Sequence, residues 1–413
     1  MTNNWEIVKI EDILLVPSRN GLTKPSAIRG KGAKMIAMGE LFAHPIICDI
    51  DMDRVPVNEK ELKTSNIEVN DLLFARQSLT LEGAGKCSIV KEVNEPTVFE
   101  SHLIRLRINS KLANPWFVYY FFNSYYGKHS IQNIVNQVAA AGIKGSDLVK
   151  IEIPLPSLDI QNKIAAQLSE IDDKIAVNKK ICENLEAQAQ ALFKHWFVDF
   201  APFKDGKFVE SELGMIPEGW RVGTLGEICT TNKRTLSSKN IPDVIEYLDT
   251  GNITANRIDN IQLLYKGQDK IPSRAKRLVS EGDIIYSTVR PNQRHYGILP
   301  NPSDSLVVST GFAVITANWS GYRYFIYNFL IQNAVVETLQ AIGEQSVSTY
   351  PSINASDIES LRMIIPKMED VDKFAEICCN IYCDIDNLEK ESIRLATLRD
   401  TLLPKLMSGE IKI

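Results

Sequence analysis

Histidine is scarce in this chain and its cysteines are unpaired. The five histidines (His44, His102, His129, His195 and His295) show no metal-ligand spacing. The seven cysteines are odd in number and scattered, and the cluster Cys378, Cys379, Cys383 contains no C-x-x-C pair. That argues against a disulfide framework or a zinc site and for reduced thiols in the cytoplasm. No apolar run approaches the ~20 residues of a membrane span, and Met1 to Ile10 is too polar for a signal peptide. Positive charge is not in excess either: 46 Lys and Arg stand against 51 Asp and Glu, a net charge of −5. Catalytic motifs fail one by one. Gly83-Ala84-Gly85-Lys86-Cys87 approaches a phosphate-binding loop, but Thr80 stands where its first glycine belongs and Cys87 replaces the Ser or Thr that would hold magnesium. Asn114-Pro115-Trp116-Phe117 approaches an amino-methyltransferase signature, which Trp116 breaks. Neither a G-x-S-x-G elbow nor an H-E-x-x-H helix occurs. The expectation is a chain with no catalytic residue, no metal and no cofactor of its own.

What the chain does have is itself, twice. Ser146-Asp147-Leu148 returns 210 positions later as Ser356-Asp357-Ile358. The same offset holds without insertion through a long apolar ladder. Ile164, Leu168, Ile171, Ile175, Asn178, Cys182, Leu185, Ala189, Leu192 and Trp196 form one copy. Phe374, Cys378, Ile381, Ile385, Leu388, Ser392, Leu395, Arg399, Leu402 and Leu406 form the other. Steps of four and three alternate, the seam of a coiled coil. A helix of this length is marginal alone, so the duplicate is its natural partner. The first helix delivers the chain to the second globule, so pairing requires the second helix to run back antiparallel. The expected fold is mixed α/β (α+β): two globular domains held a fixed distance apart by two long antiparallel coiled-coil helices, with a pseudo-twofold repeat.

Each globule opens on a tryptophan strand (Trp5-Glu6-Ile7-Val8; Trp220-Arg221-Val222). Each then enters a strand through an acidic turn, at Asn70-Asp71 and at Gly282-Asp283. An aromatic helix follows in each (Trp116 to Phe122; Tyr322 to Leu330), read as core more than as a base-stacking platform. Pro156 and Pro366 close the globules. The expected boundaries are residues 1–158 and 220–366 for the domains, 159–199 and 367–413 for the helices, and 200–219 for a Gly/Pro-rich linker. Pro404 should end or kink the second helix. Charge follows the same division. Residues 1–158 carry 18 basic against 17 acidic side chains and residues 215–366 carry 14 of each. The helical stretches 159–200 and 367–413 are acidic, 5 against 7 and 7 against 10.

Two heads at fixed separation suit a ligand with two recognition elements, and double-stranded DNA is the commonest such ligand. The neutral globules must then bind through local basic faces. In the first, Arg19, Lys24, Arg29, Lys31 and Lys34 crowd a stretch of 16 residues with no acid. In the second, Arg274, Lys276 and Arg277 form one cluster, and Arg290-Pro291-Asn292-Gln293-Arg294-His295 follows a strand. Arg bonds guanine bidentately and Asn or Gln bonds adenine, so Arg290, Asn292, Gln293 and Arg294 are candidate base readers. The lysine-rich loops are better suited to phosphates, which position without specifying. The competing reading is a two-headed protein-interaction scaffold whose basic loops are solvated surface.

Three stretches resemble a known family. Ile153-Pro154-Leu155-Pro156-Ser157-Leu158-Asp159-Ile160-Gln161 is similar to the entry to the central helix of type I restriction–modification specificity subunits. Ala191-Leu192-Phe193-Lys194-His195-Trp196-Phe197, with Gly214-Met215-Ile216-Pro217-Glu218-Gly219-Trp220 after it, resembles that helix's exit. Leu402-Leu403-Pro404-Lys405-Leu406-Met407-Ser408-Gly409-Glu410-Ile411 resembles the family's distal conserved region. The resemblance implies a non-catalytic subunit whose two target-recognition domains each read one half of a bipartite DNA sequence. It also implies two methyltransferase (M) subunits docked on the helices, and restriction/motor (R) subunits beyond them. S-adenosylmethionine, ATP and magnesium would be bound by those partners and not by this chain. The family's base-contacting residues follow no motif, so the resemblance assigns none.

Overall fold

The computed structural model describes residues 5–137, 141–237, 241–346 and 351–411. The chain forms two compact units, Met1–Ala176 with Ile393–Ile413, and Val177–Ser392. These units cut across the expected segments 1–158, 159–199 and 367–413, because parts of both long helices pack into the core of each globule.

The first unit is built on a sheet of β1 (Leu14–Asn20), β3 (Ile46–Ile47), β4 (Leu72–Ala75), β5 (Cys87–Val90) and β7 (Leu103–Ile108), ordered β1-β7-β4-β5-β3. A smaller sheet pairs β2 (Ala33–Ile36) in parallel with β6 (Thr97–Phe99). All residues of β4 are buried, because both of its faces are covered. Leu72 and Phe74 point into one cluster, while Leu73 and Ala75 point into another, the period of two that a strand imposes. Over the first cluster lies α1 (Pro115–Asn123). Its proline sits at the first helical turn, where no N–H bond is lost, and the Asn114 side chain caps the N–H groups of Trp116 and Phe117. Phe117, Tyr119, Tyr120, Phe121 and Phe122 are all buried, so these aromatics are core. Helix α2 (Tyr125–Gln132) follows, and α3 (Leu158–Phe193) leaves the unit.

The second unit repeats the plan. Strands β8 (Cys229–Thr231), β10 (Asp283–Ser287), β11 (Tyr296–Leu299) and β13 (Phe312–Ala317) form a sheet ordered β8-β13-β10-β11. A second sheet pairs β9 (Val244–Leu248) in parallel with β12 (Leu306–Ser309), as β2 pairs with β6. Helices α4 (Tyr322–Leu330), α5 (Asn333–Ser346) and α6 (Met368–Met407) complete it. Duplication reaches single atoms. Asp71 accepts the Glu68 N–H at 2.8 Å and Asp283 accepts the Ser280 N–H at 2.7 Å. The residue before each takes positive φ, Asn70 at 72° and Gly282 at 76°. Asn and Gly are the residues that tolerate that region at least cost.

Within each unit, rising numbers along α3 meet falling numbers along α6, so the pairing is antiparallel. In the first unit Ile164, Ala165 and Leu168 share a core with Leu403, Leu406 and Met407. In the second, Ala189 and Phe193 share one with Phe374, Cys378, Tyr382 and Ile385. Ile171, Ile175, Leu185, Leu192, Ile381, Leu388, Leu395 and Leu402 are half-buried, which leaves no expected seam residue exposed. Asn178 is fully buried on that seam. Its Nδ2 donates to Glu391 Oε2 at 2.8 Å and to Ser392 Oγ at 3.2 Å. Those partners exist in one register only, the use best attested for a polar seam residue.

Three local expectations change. The ladder assigned Trp196 to the helix, but α3 ends at Phe193 and a π-turn, Lys194–Val198, follows. The turn swings Trp196 and Phe197 against Phe374. The expected linker 200–219 forms a hairpin, Phe208–Ser211 with Gly214–Pro217. It is anchored by Phe200 and Phe203 against Trp220. Pro404 lies inside α6, which runs on to Met407. This close to a helix end Leu403 and Leu406 are buried in the first unit's core, and that packing outweighs the lost hydrogen bond.

Candidate nucleic-acid interface

In the first head the basic stretch is mostly spent on internal ion pairs. Lys24 Nζ sits 2.9 Å from Glu61 and Arg29 NH1 2.7 Å from Asp53. Lys34, only 8% exposed, bonds Asp49 at 2.5 Å and lies 3.3 Å from Glu95. The Asp49 hydrogen bond holds the Lys34 ammonium above its usual pKa, and the same bond holds Asp49 below the usual carboxylate range. No acid lies within the stretch, but the fold supplies acids from the segments around Asp49, Asp53, Glu61 and Glu95. Arg19 on β1 and Lys31 are the exposed members of the set.

The second head keeps more of its cations outside. Arg274 and Lys276 are exposed beside the edge strand Ala275–Leu278, while Arg277 is half-buried. The Arg290–Arg294 loop joins β10 to β11. Pro291–Gln293 makes one 3-10 turn, and both flanking arginines are left-handed, Arg290 at φ 49° and Arg294 at φ 57°. Each such residue costs roughly 1–2 kcal/mol, strain that the surroundings must hold. The anchors are visible. Arg290 N–H donates to Pro351 O at 2.9 Å and Ala255 N–H to Arg294 O at 2.8 Å. On α5, Gln340 Oε1 accepts the Asn292 N–H at 3.2 Å and Asn333 Oδ1 accepts from Arg294 at 2.8 Å. Loop and helix enclose a cleft of 310 Å³ lined by Asn292, Arg294, Asn333, Glu337, Gln340 and Glu344. Asn292 and Arg294 are exposed on it, and Gln293 between them is exposed as well. The loop thus presents Arg, Asn and Gln on a rigid rim, the donors and acceptors that base edges require.

Sequence reasoning missed the residues that hold this rim. Asn333 and Gln340 lie some forty positions downstream on a helix, with no local signal. Asn256 is a second omission. Its backbone N–H donates to Tyr296 O at 2.7 Å and its Oδ1 accepts the Ile298 N–H at 2.9 Å. Behind it Glu186 of α3 accepts the Tyr327 hydroxyl at 2.8 Å. Burial pushes the Glu186 carboxyl up to about 7 and that of Glu389 up to about 8.

Replacing Arg290 or Arg294 with Ala is expected to relax discrimination at one half-site, by roughly 1–3 kcal/mol per lost base contact. Binding measured on single-base variants of both half-sites checks this. Uniform weakening on every sequence would make these residues phosphate contacts instead.

Among the described residues no group of His, Cys, Asp and Glu could hold a metal ion, and no helix is long and apolar enough to cross a membrane. The family model described as type I restriction modification DNA specificity domain matches residues 2–187 and again 217–395. The chain is 28% identical over 425 aligned positions to the type I restriction enzyme MjaIX specificity subunit of Methanocaldococcus jannaschii, covering 99% of this chain and 94% of that one. It is 30% identical over 159 residues to the HindI specificity subunit of Haemophilus influenzae, 38% of this chain and 34% of that one. The crystal structure of a type I restriction–modification S subunit from M. genitalium superposes with a TM-score of 0.55 at 16% identity, over 98% of this chain and 97% of that one, a likeness of fold.

Proposed function

The chain belongs to the type I restriction modification DNA specificity family as a specificity subunit with two specificity domains, and from that premise we propose how it works within its complex. Each head reads one half of a bipartite target, while α3 and α6 dock two methyltransferase subunits and, through them, the restriction/motor subunits. S-adenosylmethionine, ATP and magnesium act on those partners, and the whole operates in the cytoplasm. The observation that carries this reading is the repeated hairpin: loop 76–86 between β4 and β5 in the first unit, against α2, and loop 288–295 between β10 and β11 in the second, against α5. The helices support the docking role. Val177 and Ile181 on α3, and Ile377, Ile393 and Leu398 on α6, are 40–55% exposed on elements with net negative charge. Apolar groups on acidic helices suit protein partners better than a phosphate backbone.

Base-resolved methylation mapping of the host genome, with the gene intact and deleted, tests the proposal. A split motif carrying methyl-adenine in both halves should vanish on deletion. An unchanged methylome would mean that the partner subunits are silent or absent, and the two-headed interaction scaffold would become the better reading.

A further inference from the structure

We propose that the first head reads its half-site through the loop tip Leu79–Glu82, and that Leu79 recognises the C5-methyl of a thymine in the major groove. This rests on the DNA-reading function above and names the ligand group for one head.

The assignment comes from matching the two units strand by strand. Strands β4 and β5 pair antiparallel in the first unit as β10 and β11 do in the second. The roots of the two connecting loops are held alike. Arg76 O accepts the Ile143 N–H at 2.9 Å, and Thr288 O accepts the Ile353 N–H at 2.8 Å. Two residues on, Ser78 pairs with Ala141 and Arg290 bonds Pro351. Ser78 is therefore the counterpart of Arg290, and Leu79–Glu82 the counterpart of Pro291–Arg294. The backing helix corresponds too. Gly85 takes φ +76°, and a Cβ there would stand 2.3 Å from Ile131 Cγ2 of α2, so the glycine lets the loop press on α2 as the Arg290 loop presses on α5.

The tip is ordered by its own hydrogen bonds and carries two exposed leucines beside Thr80 and Glu82. Ser78 Oγ accepts the Thr80 N–H at 3.2 Å, Thr80 Oγ1 accepts the Gly83 N–H at 3.2 Å, and Leu81 O accepts the Ala84 N–H at 3.3 Å. On this turn Leu79 is 100% exposed and Leu81 45% exposed. At the far root of the loop Lys86 faces inward, since its Nζ donates to Phe42 O at 2.9 Å. Leu79 is the counterpart of Pro291, one residue past the Arg290 position. Where Pro291 is buried, Leu79 is held wholly in water on the loop equivalent to the one that presents Asn292 and Arg294. An apolar side chain there suits an apolar group on the ligand. The major groove offers one on a base edge, the thymine methyl. In the basic stretch Lys24, Arg29 and Lys34 are already ion-paired, which leaves Arg19 and Lys31 exposed for phosphate contact.

The test uses the full chain assembled with its methyltransferase subunits. Affinity is measured on cognate DNA in which each thymine of each half-site is replaced in turn by deoxyuridine, which lacks the methyl. Wild type is expected to lose about four-fold at one thymine of one half-site, the effect of one buried methyl. Leu79→Ala should lose roughly three- to ten-fold on thymine DNA and become indifferent to uridine at that position, while Leu79→Met keeps most of the response. Leu79 touches no core, so these variants fold as wild type does. If Leu79→Ala stays as sensitive as wild type at every thymine, the Leu79 assignment is overturned and the DNA-reading function stands. If wild type shows no sequence preference on any DNA, both fall together.

Discussion

Asp172→Ala is expected to destabilise the first unit by about 3 kcal/mol. Asp172 is 8% exposed and lies between α1 and α6, taking the Tyr120 hydroxyl at 2.7 Å and Arg399 at 2.6 Å. Removing the carboxylate strands a desolvated guanidinium and a buried phenol together. Breaking a buried ion pair costs about 3–5 kcal/mol, and the low end applies here because Arg399 is 30% exposed and keeps Asp400 at 2.9 Å. The double variant Asp172→Ala with Arg399→Met removes both charges and should recover most of the loss, since an apolar pair of similar volume is tolerated in such places. Denaturant unfolding read by pulse proteolysis, whose fragments separate the two units, measures it. A single-variant loss below about 1 kcal/mol would mean that water already solvates the pair.

The second unit is expected to lose stability as pH rises from about 5 to about 9. Glu186 and Glu389 take up their protons near 7 and 8 in the folded chain, against about 4.3 for an unperturbed Glu. The folded state thus holds these protons more tightly than the unfolded state does. Their contribution is fully present below the unfolded pKa and is lost as pH climbs through the folded values. Loss of water around each carboxyl is the main cause. Asp386 and Glu186 add to it at Glu389, while at Glu186 the hydrogen bonds from Tyr327 and Asn256 oppose it. Glu186→Gln should therefore stabilise the unit by about 2–3 kcal/mol at high pH and change little at pH 5, because the amide oxygen can still accept from Tyr327. Thermal melting of wild type and variant across that range checks the slope. Parallel curves would show that Glu186 stays hydrated.

Local pattern made much of this legible in advance. The seam residues need only a period of 3.5, and the acidic turns at Asp71 and Asp283 need only a residue before them that accepts positive φ. The aromatic run Phe117 to Phe122 is apolar enough to read as core. Pairings across the chain were not legible. Arg29 meets Asp53 and Lys34 meets Asp49 only after β2 and the segments that follow it have folded together, so a stretch with no acid of its own looked more free than it is. Trp196 fitted the ladder by count, yet the π-turn that moves it depends on packing against Phe374, more than 170 positions away.

By itself the sequence determined a duplicated chain with two heads and two long helices, and its helix-flanking motifs carried the resemblance to specificity subunits. Repeat offset, helical period and turn residues are local or translational properties that survive in one dimension. Only the tertiary structure decided which cations remain in water, which loops stand at the equivalent point of each head, and which carboxyls hold protons near neutrality. Those depend on distance and hydration, and both are set by residues far apart in the chain.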